Sequence, residues 1–151
     1  LKSVEDVNND QKHVLVKKIK SEFGNNLNGK HFALWGLSFK PDTDDMREAP
    51  SIVIAKELIA LGATVSAYDP VAGAEAKKHL GNSIMYSDNS YSALKGADAL
   101  LLITEWKEFR FPEWNRIKDL LKTPIIFDGR NIYSSSELRA AGFVYHGIGT
   151  K

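Results

Sequence analysis

The chain has 151 residues, a formal net charge of +1 at pH 7 and no cysteine. A chain of this length is expected to form one domain, and its charge gives no general attraction to nucleic acid or membranes. The lack of cysteine excludes a disulfide framework, a thiolate metal site and a cysteine nucleophile within these residues. No apolar run reaches the roughly 20 residues that a membrane-spanning helix needs, and no secretory signal is found, so a cytoplasmic location is expected.

The amino-terminal segment Leu1–Phe23 predicts one long helix. Apolar residues recur at a spacing of four, including Val7, Leu15 and Ile19, and Gly24 provides a plausible stop. This apolar stripe is expected to pack either on the domain that follows or on a partner outside this chain.

After this helix, short apolar segments alternate with segments of helical periodicity. Strands are predicted at residues 30–35, 63–68, 84–86, 97–103, 125–127 and 143–145, and helices at 51–61, 71–80, 112–121 and 136–141. Such alternation predicts a parallel sheet with helices on both faces, and right-handed crossovers favour a doubly wound, Rossmann-like sheet. The predicted class is therefore an α/β Rossmann-like fold preceded by a long amino-terminal helix.

The first predicted strand leads into a charged loop. Gly36 gives the strand a tight exit, Lys40 and Arg47 follow in the loop, and Pro50 is suited to the first position of a helix. A strand, a glycine, a cationic loop and a helix start together indicate an anion or phosphate site. The dinucleotide fingerprint G-x-G-x-x-G is absent. In the alternative interpretation, the two cations only pair with the acidic side chains of the same loop, Asp42, Asp44, Asp45 and Glu48.

Three polar loops are expected at the carboxyl ends of the predicted strands, where doubly wound sheets bind their ligands. These loops cover residues 38–47, 104–111 and 128–131. They bring together the cations Lys40, Arg47 and Arg130 with aromatic side chains. This combination suits a ligand that has a diphosphate and a flat ring.

Other candidate residues carry weaker signals. Asp69 ends the second strand, where an acidic residue can hold a ribose hydroxyl, but the missing glycine fingerprint favours a turn built on Asp69-Pro70. The four histidines have no ligand spacing, so no metal is expected. The three tryptophans, Trp35, Trp106 and Trp114, are interpreted as packing residues.

The segment Gly36–Pro50, which reads GLSFKPDTDDMREAP, resembles the UDP-binding domain of the UDP-glucose/GDP-mannose dehydrogenase family. Shorter segments support the same resemblance. They are VNNDQ at 7–11, YDP at 68–70, TEWKEF at 104–109 and DGRN at 128–131. The resemblance covers essentially the whole chain, and the long motif is highly specific.

The resemblance implies a domain organisation. Enzymes of this family oxidise the sugar C6 alcohol to a carboxylate in two NAD-dependent steps. They consist of an amino-terminal NAD domain, a long central helix that builds the dimer, and a carboxyl-terminal domain. By resemblance, residues 1–24 are the end of the central helix and residues 25–151 are the UDP-sugar-binding domain. The implied partners are UDP-glucose, an amino-terminal NAD domain and a second copy in a homodimer.

The resemblance also implies site residues. Phe39, Lys40 and Arg130 correspond to substrate contacts, and Arg47 to the position that reaches NAD. The family's catalytic cysteine, lysine and glutamate have no counterpart here, so an inactive fragment is expected. Three alternatives stay open: the same domain of a GDP-mannose or UDP-N-acetylhexosamine dehydrogenase, a stand-alone module that senses a nucleotide sugar, or a domain that serves only dimerisation.

Overall fold

The computed structural model of the chain describes residues 4–148, with side chains from residue 12 onward. The strands are β1 (His31–Trp35), β2 (Thr64–Tyr68), β3 (Met85–Tyr86), β4 (Ala99–Leu102), β5 (Ile125–Asp128) and β6 (Val144–Gly147). The helices are α1 (Val4–Phe23), α2 (Pro50–Ala60), α3 (Gly73–Leu80), α4 (Trp114–Leu120) and α5 (Ser135–Ala140), with 3-10 turns at Ser92–Leu94 and Lys107–Phe109.

The six strands form one parallel sheet in the order β3-β2-β1-β4-β5-β6. β1 pairs with β2 on one side and with β4 on the other, so the chain reverses its direction of progress across the sheet between these two neighbours. This order is that of a doubly wound, Rossmann-like sheet, which confirms the predicted fold class. The reversal creates a crevice at the carboxyl ends of β1 and β4, where such folds bind ligands.

Helices cover both faces of the sheet and enclose two separate cores. α1, α2 and α3 contribute to the core on one face, and α4, α5 and the 3-10 turns contribute to the core on the other. All four residues of β4 are buried, with Leu101 in the first core and Leu100 and Leu102 in the second. The unbroken apolar run in β4 is therefore explained by burial on both sides.

Most predicted boundaries agree with the structure to within two residues, and the differences have local causes. α3 begins at Gly73 rather than at Val71, because Asp69 accepts hydrogen bonds from the amides of Val71 and Ala72 and holds them in a turn. β6 continues to Gly147, because Gly147 pairs with Asp128 at the end of β5.

The long helix α1 packs on the domain that follows it. Leu15 and Ile19 are fully buried, and the Phe23 ring meets Phe32 of β1 edge-on at a centroid distance of 5.3 Å. Val7, which belongs to the predicted apolar stripe, lies outside the described side chains. The helix is thus part of the first core, whereas the division of the chain after residue 24 stays a prediction. A bilayer could not be crossed by any helix within residues 4–148, because none combines the necessary length and hydrophobicity.

Truncation of one buried side chain of α1 tests this packing. We expect Ile19→Ala to lower the free energy of unfolding by about 2–5 kcal/mol, because it leaves a cavity between α1 and the sheet. Lys17→Ala, on the exposed side of the same helix, should change it by less than about 0.5 kcal/mol. Urea denaturation measures both values, and equal midpoints for Ile19→Ala and the parent chain would contradict the packing.

Candidate functional site

One guanidinium group joins the loops that follow β1, β4 and β5. Arg130, after β5, donates from Nε to the carbonyl of Ile103 at 3.0 Å and from Nη2 to the carbonyl of Phe39 at 2.9 Å. Its Nε also lies 3.6 Å from a carboxylate oxygen of Glu105, and its side chain is 22% exposed. The structure therefore brings together the three loops that the sequence predicted, with Phe39 and Arg130 in direct contact.

Glu105 was not singled out from the sequence, although it lies in the same crevice. Its Oε1 is buried and has no hydrogen-bond partner among the described residues. The Nη1 group of Arg130 likewise has no hydrogen bond within residues 12–148. The crevice thus holds one acidic and one basic group that retain unused hydrogen-bonding capacity.

The exit of β1 needs a glycine. Gly36 has a φ of +93°, and a Cβ at this position would lie 2.5 Å from the Cβ of Thr104 and 2.6 Å from its amide nitrogen. Only glycine allows the loop after β1 to approach the loop after β4 this closely. The Thr104 hydroxyl then donates to the carbonyl of Ser38 at 2.6 Å, which joins the two loops directly.

The carboxylate of Asp69, at the end of β2, holds the loops after β1 and β4 through hydrogen bonds. Its Oδ2 accepts from the amides of Leu37 at 2.7 Å and Ser38 at 3.1 Å, and from the Trp106 indole at 3.2 Å. Its Oδ1 accepts from the two backbone amides that open the next turn, at 2.9 and 2.8 Å. The turn interpretation is confirmed, and both oxygens are engaged inside the protein rather than available to a ribose.

Lys40 and Arg47 behave differently. Lys40 is exposed and forms no salt bridge among the described residues, although it attracts the nearby Asp45 carboxylate electrostatically. Arg47 does pair within its loop. It donates from Nε and Nη2 to the two oxygens of Asp45 at 3.0 and 2.9 Å, while its side chain remains 87% exposed. These hydrogen bonds lower the pKa of Asp45 to about 2.

The amino end of α2 does not contribute as the sequence suggested. Pro50 is the first helical residue, as predicted, but both Pro50 and Ser51 are buried. The Ser51 hydroxyl donates to the carbonyl of Leu37 at 2.6 Å, which packs the helix start against the loop. The accessible positive groups of this loop are therefore the side chains of Lys40 and Arg47, and not helix amides.

The aromatic residues near the crevice pack against one another. Trp35 is buried and stacks on Phe109 at a centroid distance of 4.8 Å, and Trp114 meets Tyr133 edge-on at the same distance. The interpretation of the tryptophans as packing residues is confirmed. In the described part of the chain, no cluster of three or more histidine or acidic side chains is arranged to hold a metal ion.

A second buried carboxylate shapes the loop that carries Arg130. Asp128 is fully buried, and its Oδ1 accepts from the amide of Arg130 at 3.0 Å. Its Oδ2 accepts from the amide of Tyr133 and from the hydroxyl of Tyr145, both at 2.9 Å. Sequence reasoning did not find this network, because Tyr145 lies on β6 and only the fold brings it to Asp128.

Comparison with known proteins identifies this arrangement. The model of the UDP-glucose/GDP-mannose dehydrogenase family, UDP binding domain, matches residues 33–135. The chain belongs to this family. Over its whole length it is 48% identical to the UDP-glucose 6-dehydrogenase YwqF of Bacillus subtilis, of which it covers 34%. The chain thus spans about a third of the length of that relative of the UDP-glucose/GDP-mannose dehydrogenase family.

Solved structures of the family have the same fold. A UDP-glucose dehydrogenase from Pyrobaculum islandicum superposes with a TM-score of 0.76 at 27% identity, covering 91% of this chain and 29% of that one. A UDP-D-ManNAc dehydrogenase from Pyrococcus horikoshii gives a TM-score of 0.70 at 25% identity, covering 94% and 30%. The family resemblance seen in the sequence is confirmed.

Removal of the Asp69 carboxylate tests its role in holding the crevice. We expect Asp69→Ala to lower the free energy of unfolding by about 3 kcal/mol or more, because several buried donors lose their acceptor together. Asp88→Ala, at an exposed position, should have an effect within about 0.5 kcal/mol. Both values come from urea denaturation. An Asp69→Ala chain as stable as the parent would contradict this role.

Proposed function

We propose that this chain is the carboxyl-terminal, nucleotide-sugar-binding part of a UDP-glucose 6-dehydrogenase, an NAD-dependent oxidoreductase that converts UDP-glucose to UDP-glucuronate. The family match and the 48% identity to a Bacillus subtilis enzyme of that name support the assignment. The observation that carries it is the crevice itself. Arg130 joins three loops there, and the exposed Lys40 lies next to Phe39 in one of them.

The proposed contacts follow from the charge, the hydrogen-bond donors or the apolar surface that each side chain still has available for a ligand. Lys40 is exposed and forms no salt bridge among the described residues, so it can act as a point charge toward a phosphate. Arg130 spends two donors on main-chain carbonyls and retains Nη1 for the ligand. Phe39 accepts from Arg130 through its carbonyl, which leaves its half-buried ring for apolar contact with the nucleotide or sugar. These three residues are the proposed substrate contacts.

The residues of this chain do not fit a complete NAD site. The glycine fingerprint is absent, and Asp69, at the position that would hold a ribose, is engaged on both oxygens by protein donors. NAD, which accepts hydride in enzymes of this kind, is therefore proposed to bind mainly to an amino-terminal domain outside these 151 residues. Arg47 is the proposed contact of this chain to NAD, because it matches the family position that reaches NAD and its side chain stays 87% exposed while it is bound to Asp45.

The remaining proposals concern assembly. Residues 1–24 are proposed to be the end of a central helix that forms a homodimer in the parent enzyme, and residues 25–151 the substrate-binding domain. Because Leu15 and Ile19 are already buried against the sheet, such a dimer must use other faces of α1. A cytoplasmic location is likewise part of the proposal.

A second candidate is a related dehydrogenase that acts on another nucleotide sugar. The likeness to a UDP-D-ManNAc dehydrogenase favours it, since that structure superposes almost as well. The residues proposed here contact the nucleotide and its phosphates, which both classes of substrate share. Comparing the parent enzyme's kcat/KM for UDP-glucose and for UDP-N-acetylmannosamine separates the two candidates.

Titration of the chain with UDP tests the substrate site. We expect weak but saturable binding in calorimetry. Lys40→Ala and Arg130→Ala should each weaken it roughly 10- to 150-fold, because a charged hydrogen bond contributes about 1.5–3 kcal/mol. Lys95→Ala, an exposed lysine outside the crevice, should bind like the parent. If Lys40→Ala or Arg130→Ala binds UDP like the parent, the site assignment is wrong.

The purified chain should be inactive by itself. With UDP-glucose and NAD we expect no formation of NADH above background, because the chain offers neither a cysteine nucleophile nor a dinucleotide cradle. The full-length Bacillus subtilis relative provides the positive control in the same absorbance assay. Turnover by the 151-residue chain would refute this part of the proposal.

Arg47 and Lys40 should separate the two ligands in the full-length enzyme. Arg47→Ala is expected to raise the KM for NAD more than the KM for UDP-glucose, because Arg47 is proposed to contact NAD and not the nucleotide sugar. Lys40→Ala is the matched control and should show the opposite preference. Steady-state kinetics with each substrate varied in turn measures both, and an equal or reversed preference for Arg47→Ala contradicts its assignment.

A further inference from the structure

The environment of Asp128 is unusual for a buried acid. The side chain is fully buried, and among the described residues it has no ion pair with a cation. Its charge is balanced by three donors only, the amides of Arg130 and Tyr133 and the hydroxyl of Tyr145. Burial of a carboxylate costs free energy unless its oxygens accept hydrogen bonds. The loss of any one donor is therefore expected to change the orientation of the Asp128 carboxylate.

The loop that Asp128 organises contains a residue in the left-handed region. Asn131 has a φ of +55°, which asparagine adopts more readily than most residues other than glycine. The Asn131 side chain donates to the carbonyl of Ile148 at 2.6 Å and accepts from its amide at 2.8 Å. Asp128 supports the same loop through the amide of Arg130.

We propose that Tyr145 is a positioning residue for the nucleotide-sugar site, which acts on Arg130 through Asp128. This inference rests on the proposed function, because it takes Arg130 to be a ligand contact. The Tyr145 hydroxyl holds Oδ2 of Asp128, and this fixes the other oxygen, Oδ1, on the amide of Arg130. The Arg130 backbone is then aligned so that its guanidinium reaches the carbonyls of the other two loops.

The hydroxyl is suited to this role. It is a donor that does not ionise in the ordinary pH range, because burial and the Asp128 carboxylate raise the pKa of Tyr145. Tyr145 also lies on β6, a paired strand of the sheet, and not on the loop itself. Pairing of β6 therefore sets the backbone position of Tyr145, and its hydroxyl also lies 3.4 Å from the carbonyl of Tyr133.

Without the Tyr145 hydroxyl, Oδ2 of Asp128 would accept a hydrogen bond only from the amide of Tyr133, among the donors described. The carboxylate must then turn toward another donor or admit a water molecule, and its bond to the amide of Arg130 is the one that changes. The Arg130 guanidinium would then bind its two carbonyl partners less often, and it would be displaced from the position where it contacts a phosphate of the ligand. The effect on the ligand should therefore run entirely through Arg130.

Calorimetric titration of UDP into the 151-residue chain provides the first measurement. We expect Tyr145→Phe to weaken UDP binding about three- to tenfold, the size of effect typical of one buried hydrogen bond. The matched control is Tyr86→Phe, which removes a hydroxyl that donates to the Gly81 carbonyl at 2.9 Å beside β3. This control should leave UDP affinity unchanged. Equal affinities of Tyr145→Phe and the parent overturn the proposal.

A double-mutant cycle separates positioning from a general loss of structure. In an Arg130→Ala background, adding Tyr145→Phe should weaken UDP binding no further, because the residue it positions is gone. In a Lys40→Ala background, the same change should still cost three- to tenfold. An equal further loss in both backgrounds would mean that Tyr145 acts on the whole domain, and would overturn the proposal.

The same cycle also distinguishes failure of this proposal from failure of the proposed function. If Arg130→Ala binds UDP like the parent, the site assignment is wrong. If Arg130→Ala loses affinity and Tyr145→Phe does not, only the role of Tyr145 is wrong. Should Tyr145→Phe not fold, Asp128→Asn replaces it, with the same expected loss and the same lack of effect in the Arg130→Ala background. An additive effect of Asp128→Asn would overturn the proposal.

Discussion

The crevice of this domain depends on one buried carboxylate. Asp69 accepts hydrogen bonds from the backbone after β1, from the turn after β2 and from Trp106 after β4. These three segments meet just beyond the carboxyl ends of the strands, where the order of the strands reverses. A side chain with two acceptor oxygens joins them there. In many Rossmann-like domains an acid at this position faces the ligand, whereas here it faces the protein.

The charged groups of the crevice are of two kinds. Some hold the loops together, and others remain available to a ligand. Asp69 and Asp128 are buried and use neutral donors, so they shape loops without attracting a ligand of their own. Arg130 does both, because part of its guanidinium holds carbonyls and part is unused. Lys40 and Arg47 are exposed, and Arg47 forms a salt bridge with Asp45 of its own loop. The accessible side of this loop thus carries both cations together with the exposed acids Asp42, Asp44 and Glu48.

Sequence reasoning gave the fold nearly completely and the site only in part. The alternation of apolar strands and amphipathic helices determines the class, and the loops at the carboxyl ends follow from that class, so Lys40, Arg47 and Arg130 could be placed on loops at that edge of the sheet. What it could not give were contacts between residues far apart in the chain. Asp69 and Trp106, like Asp128 and Tyr145, meet only after the sheet has formed, and no local pattern records such pairs.

The dependence on main-chain partners has a consequence for how such domains diverge. The Arg130 guanidinium holds the carbonyls of Phe39 and Ile103, and Asp69 holds mainly amides. Main-chain atoms are the same whatever the residue, so loop side chains that make no bond of their own can be exchanged while these contacts persist, whereas Gly36 and Thr104 cannot. A lineage can thus change the chemistry of the crevice through point substitutions on an inherited frame. The same property makes this loop cluster a sensible starting template for redesigning ligand preference in the laboratory.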